Sequence, residues 1–138
     1  SLITWNDYFV TGVDIIDEQH RWLIELINRA APVLVLPYAT AHEAADELLD
    51  RLTEYAIFHF NTEDQLMAEH AIDPRHSQHH QQSHGEFAAR VGEMRQRYQE
   101  VGDISGGELL TFLANWLVFH ILSDDQVLTR QIKAIRTG

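Results

Sequence analysis

Cysteine is absent from the 138 residues, which excludes disulfides, thiolate catalysis, iron–sulfur clusters and zinc sites built on sulfur. Proline occurs three times and glycine seven, too few for the turns of a β-sandwich. Positive charge is scarce: 10 Lys and Arg stand against 21 Asp and Glu, a formal charge of −11. Such a surface repels phosphate backbones and anionic headgroups, which argues against nucleic-acid and membrane partners. Long hydrophobic runs are missing as well. Ala30–Ala39 is broken by Pro32 and Pro37, and Phe112–Leu122 by Asn115 and His120. Both fall short of the ~20 apolar residues a bilayer demands. No secretion signal precedes the patterned sequence, so a cytoplasmic domain is expected. The missing initiator Met suggests a domain cut from a longer chain.

What is present is a 45% hydrophobic, 22% charged chain, the balance of one folded domain with a real core. Residues 1–16 mix β-branched and aromatic residues around Gly12 and predict an ordered arm. Asp17-Glu18 opens a helical run over about 17–36 with Leu23, Ile24, Ile27 and Leu34 on one face. Pro32 is expected to end or kink it, and Pro37 to close it. Thr40, with Glu43 three residues on, predicts a capping box for a second helix over about 41–70. Asp73-Pro74 separates it from a third over about 75–101, and Gly102 to Gly107 from a fourth over about 107–135. Four amphipathic helices joined by short loops predict an all-α, up-down-up-down antiparallel four-helix bundle behind an N-terminal arm. Glu43, Asp46, Glu47 and Asp50 read as one solvated helix face.

Nine histidines are the exceptional feature. His59 and Glu63 are four residues apart on the second helix, and His80 and His84 repeat that spacing on the third, so each pair shares a face. His20 lies early in the first helix, and His120 late in the fourth, followed by Asp124 and Asp125. In an antiparallel hairpin, residues at one level are equally distant from the turn. The midpoint of His20 and the 59/63 pair falls at about residue 40. The two middle pairs average about 71.5, and the 80/84 pair and the 120/125 group about 102. All three midpoints lie in or beside expected loops. Five imidazoles and at least two carboxylates therefore converge at one depth. Unpaired, such buried groups would cost several kcal/mol each, and seven ligands exceed the four of a structural zinc site. They suit two metal ions sharing carboxylates, and nitrogen–oxygen donors without sulfur favour iron or manganese.

The motifs that carry these residues are ordered along the chain: Trp5 to Gly12 leading to Asp17 and Gln19-His20; His59-Phe60 with Glu63 and Leu66-Met67; His80, His84 and Phe87; and Trp116-Leu117 with His120-Ile121 and Asp125. In this the sequence resembles the hemerythrin family, most closely its bacterial branch, over nearly its whole length. The resemblance implies a non-haem centre of two irons, oxo- or hydroxo-bridged, that binds O2 reversibly and takes azide-like anions when ferric. It implies His80, His84 and His120 as terminal ligands of one iron, His20 and His59 on the other, and Glu63 and Asp125 as bridges. It also implies an oxygen pocket of Phe60, Trp116 and Leu122, a dry wall against water entry.

Spacing by itself prefers Asp124, one turn from His120, over Asp125, which swings about 140° away on a regular helix. The family pattern selects Asp125 and calls for a local bulge. His79 competes with His80, but only His80 has its partner in His84 together with Phe87. His42, His70, His76 and His79 read as solvated residues near helix ends; a surface metal site from His76 with His79 or His80 is the alternative. The expected function is an O2- or redox-sensing domain of a larger bacterial signalling protein, its output domain continuing from Gly138. A free-standing O2 carrier or store is the alternative. A di-iron oxidase or peroxide-reducing enzyme is a third reading; oxidative bundles of the ferritin type use more carboxylates, so no enzyme is expected. A purely structural metal bundle is a fourth.

Overall fold

The computed structural model describes residues 2–137; Ser1 and Gly138, with the expected attachment point of an output domain, lie outside them. Helix α1 (Asp14–Leu34) buries Leu23, Ile24, Ile27 and Leu34, the three-and-four spacing that brings one helix face inward. It starts at Asp14 rather than Asp17. The reason lies in Asp17, whose carboxylate does not open the helix but accepts hydrogen bonds from Thr11 N, Thr11 Oγ1 and Gly12 N. It thereby fastens the arm, which turns at Gly12 (φ +85°) and contains a single 3-10 turn, Asp7–Phe9. Pro32 sits within the last turn of α1 without ending it.

Helix α2 (Tyr38–Glu69) begins directly after Pro37 and has no side-chain cap, so the expected Thr40–Glu43 box is not used. Proline's fixed φ sets the entry geometry. Two members of the expected solvated face are engaged instead. Asp46 accepts from Tyr38 Oη and Gln99 Nε2, and Asp50 from Arg95. Helix α3 (Pro74–Gln96) is capped by Asp73 with proline at its start and runs into a π turn, Arg97–Val101. Helix α4 (Gly106–His120) opens on a Ser105–Glu108 capping box. A second π turn, Ile121–Asp125, joins it to α5 (Gln126–Thr137).

Partners descend in number on one helix as they rise on the next. His20, Gln19 and Trp22 meet His59, Thr62 and Tyr55; His84 and Phe87 meet His120 and Trp116. The described residues form an all-α antiparallel four-helix bundle, α4 and α5 making one rod. By length and composition the segment Gly106–Arg136 is apolar enough to cross a membrane, its most apolar 18-residue window having a mean hydropathy of 1.2, although no uninterrupted run suggested it. In the bundle this segment buries Leu109, Leu113 and Leu128 together with the ionisable His120 and Asp125.

Two apolar clusters result. The larger joins Leu23–Leu34, Leu49–Phe60, Val91–Tyr98 and Leu109–Ile121; the smaller joins Val13, Ile16, Met67, Ile72, Leu128 and Ile132. A polar layer lies between them. Helices α1 and α4 approach so closely at the far end that a Cβ on Gly106 would stand 1.9 Å from the Leu34 carbonyl oxygen. That contact is backbone, so it cannot relax by a rotamer change. Gly106→Ala is expected to destabilise by about 3 kcal/mol, the upper range for overpacking. The fall in Tm, on the order of 10 °C, is read by thermal melting.

Candidate metal centre

Seven ionisable side chains form the polar layer, and all are buried, at 0% to 6% exposure: His20, His59, Glu63, His80, His84, His120 and Asp125. Every imidazole presents Nε2 to a common centre. His20 Nε2 lies 2.8 Å from Asp125 Oδ2 and 3.1 Å from His59 Nε2. His80 and His120 each stand 3.1 Å from Asp125 Oδ1. His59 and His84 lie 3.2 and 3.1 Å from Glu63 Oε1. His84 and His120 approach to 3.1 Å between their Nε2 atoms. The ligand atoms fall into two overlapping groups. Glu63, His80, His84, His120 and Asp125 form one; His20, His59, Glu63 and Asp125 form the other.

Asp125 reaches this centre because of the π turn. Its extra residue takes up the rotation that a regular helix would impose between His120 and the fifth residue after it. Asp124, which spacing favoured, has a different place. Its Oδ2 lies 3.3 Å from His120 Nδ1, and its Oδ1 lies 3.1 Å from the exposed His79. A carboxylate behind a ligating imidazole fixes the ring's tautomer and direction. Other outward nitrogens are held similarly. His59 Nδ1 meets Gln19 Oε1 at 2.7 Å, and Gln19 Nε2 donates to Thr62 Oγ1. His80 Nδ1 meets His76 Nε2 at 2.9 Å, so His76 is not the solvated residue expected of it. In the sequence Gln19 stands in the first motif without a role of its own, and His76 stands one turn from His80, where it is weighed only for a surface metal site.

The charges compete. Burial by itself raises Glu63 and Asp125. The imidazoles of His59, His120 and His80 overcome it for Glu63, which is held well below the usual carboxylate range. Asp125 is also raised by Glu63, yet His120 and His20 pull it below its ordinary value. Burial lowers His80, but Asp125 and Glu63 carry it up to about 9. His120 is raised well above its ordinary value by Asp125, Asp124 and Glu63 against the same burial. At His84 burial wins and the shift is downward.

The residues fit a metal. Both oxygens of Glu63 and of Asp125, and His80 Nε2, are buried without a hydrogen bond of proper geometry, which is costly for bare polar groups. Five nitrogen and two carboxylate donors suit iron, and each carboxylate has two oxygens to share. Of the expected pocket, Phe60 and Trp116 border the centre: Phe60 stacks on His84 at 3.9 Å and Trp116 on His120 at 4.4 Å. Leu122 does not. The π turn drives Ile121 inward (0% exposed) and leaves Leu122 outside at 45%. There it lines a surface groove with Phe119 and Leu2.

A four-helix bundle with a buried imidazole–carboxylate cluster defines a class, the cation-binding helical bundles that hold metal without haem or sulfur. Within that class, the model of the hemerythrin HHE cation binding domain matches residues 11–132, and the chain belongs to the hemerythrin family, whose metal is non-haem iron. It is 37% identical to a bacteriohemerythrin of Stenotrophomonas maltophilia over 134 residues, 97% of this chain and 84% of that one. A bacteriohemerythrin of Pseudomonas aeruginosa is 34% identical over 89% of this chain and 76% of its own. One of Clostridium acetobutylicum is 30% identical over 91% and 97%. These relatives bear the names of hemerythrins rather than of enzymes, in agreement with the non-enzyme reading.

Proposed function

We propose that this domain binds O2 reversibly at two non-haem irons. His80, His84 and His120 would complete one iron, His20 and His59 would hold the other, and Glu63 and Asp125 would bridge them. The observation that carries the reading is the overlap of the two donor groups in those two carboxylates alone. The unequal groups support an assignment in which the His20–His59 side keeps the open position. When bound, a ferrous pair supplies that position and the electrons that make O2 binding reversible. The protein's part is to orient the His59, His80 and His120 rings through their outer nitrogens and to keep water out with the Phe60 and Trp116 rings. Anaerobic loading with iron(II), followed by air, is expected to give near-UV and visible charge-transfer bands that vanish on degassing. Bands that form and never reverse would reject the reversible reading.

The setting we propose is a sensing domain of a longer signalling protein. The support is local: α5 begins at Gln126, immediately after Asp125, so a shift of that carboxylate acts on the helix leading to the C-terminus. A gene that encodes only these residues would leave a free carrier or store instead.

A further inference from the structure

We propose that Asp64 is a positioning residue for the metal centre, its Oδ1 accepting a hydrogen bond from Nδ1–H of His84 when that ring holds a metal through Nε2. The inference rests on the ligand role proposed for His84. Three of the five rings have their outer nitrogens engaged, those of His59, His80 and His120. That of His84 is not. Its Nδ1 is buried without a hydrogen-bond partner, and so is Oδ1 of Asp64. These two orphaned atoms lie 3.8 Å apart, a little beyond the ~2.7–3.2 Å of an N–H···O bond.

Ligation itself decides where the proton sits. A neutral imidazole carries one N–H, and with Nε2 on a metal that N–H is at Nδ1, where burial makes an acceptor necessary. Glu63 faces the opposite edge of the ring, at Nε2, which leaves Asp64 as the carboxylate on the Nδ1 side. Helix geometry places it there. Phe60 and Asp64 are one turn apart on α2 and share a face, and both meet His84. Phe60 stacks on the ring with the two planes 12° apart. Stacking fixes the plane of the imidazole but not its rotation within that plane. A bond at Nδ1 fixes the rotation, and with it the direction of Nε2. The Asp64 side chain is 42% exposed, so it has room for the small movement that closes the gap. A carboxylate acceptor also makes the imidazole a stronger donor. Asp124 stands in the same relation to His120, so both carboxylates back rings of the larger donor group. In the smaller group His59 has only the amide of Gln19. The effect of Asp64 therefore falls on one metal position of the two.

The test is nuclear magnetic resonance of the anaerobic iron(II)-loaded protein carrying isotope-labelled histidine. Paramagnetic iron displaces the ring N–H signals of the imidazoles that bind it, and their exchange with solvent reports whether each is hydrogen-bonded. In Asp64→Ala the His84 N–H is expected to exchange several-fold faster. Chelator competition on the same variant is expected to loosen one iron by ~10–100-fold and to leave the other as it was. Asp64→Glu, which keeps the carboxylate, is expected to restore both readouts; a loss that it repairs in neither overturns the positioning role. Unchanged exchange in Asp64→Ala overturns it too, even with iron weakened, because a charge acting only at a distance gives that pattern. Iron bound with the His84 signal undisplaced would reject the ligand role itself, whereas a displaced signal indifferent to Asp64 rejects the positioning alone, so the two failures are distinguishable.

Discussion

His59→Ala is expected to lower bound iron from two per chain to about one and to abolish the O2-dependent absorption. On the proposed assignment the smaller donor group holds its ion with only two imidazoles beside the shared carboxylates. Removing His59 also strands Gln19, whose Oε1 now sits 2.7 Å from the ring's Nδ1. Loss of an outer partner weakens metal binding by ~10–100-fold, and loss of the ligand itself exceeds that. The far-UV circular dichroism should stay helical, because the flanking apolar clusters are untouched. His42→Ala, at an exposed position near the far end of α2, is the control and should change nothing. Full iron and intact spectra in His59→Ala would reject the ligand role.

The second large effect separates two adjacent aspartates. Asp125 belongs to both donor groups and is fully buried, so Asp125→Ala should strip iron from both positions at once. Asp124 meets only the outward nitrogen of His120 and the exposed His79. Asp124→Ala should keep the stoichiometry and weaken iron binding by about 10–100-fold, measured by competition with a chelator. Equal losses in the two variants would mean that the π turn does not decide which carboxylate binds.

Much of this was legible in residue spacing, and the gaps have physical causes. The four helices follow from apolar periodicity. The depth of the polar layer follows from the midpoints of the histidine pairs, because antiparallel packing fixes which residues share a level. The inward turn of Asp125 was not legible from periodicity, since a π turn shifts the register without a composition of its own. The same shift exposes Leu122 and buries Ile121, which is why a pocket mapped by sequence position misplaced one wall. Gln19 stands in a motif without a role and His76 reads as solvated, because their roles depend on contacts made across helices or behind another ring. The start of α1 was misplaced because Asp17 caps the preceding arm, a contact that reaches backwards along the chain.

The central claim is that seven side chains hold two ions that share Glu63 and Asp125. Anomalous X-ray diffraction at the iron edge, on crystals of the iron-loaded protein, tests it most directly. The account predicts two peaks within the bundle, one among His80, His84 and His120, the other beside His20 and His59, with both carboxylates between them. A single peak, or a pair that Glu63 and Asp125 do not join, would contradict it.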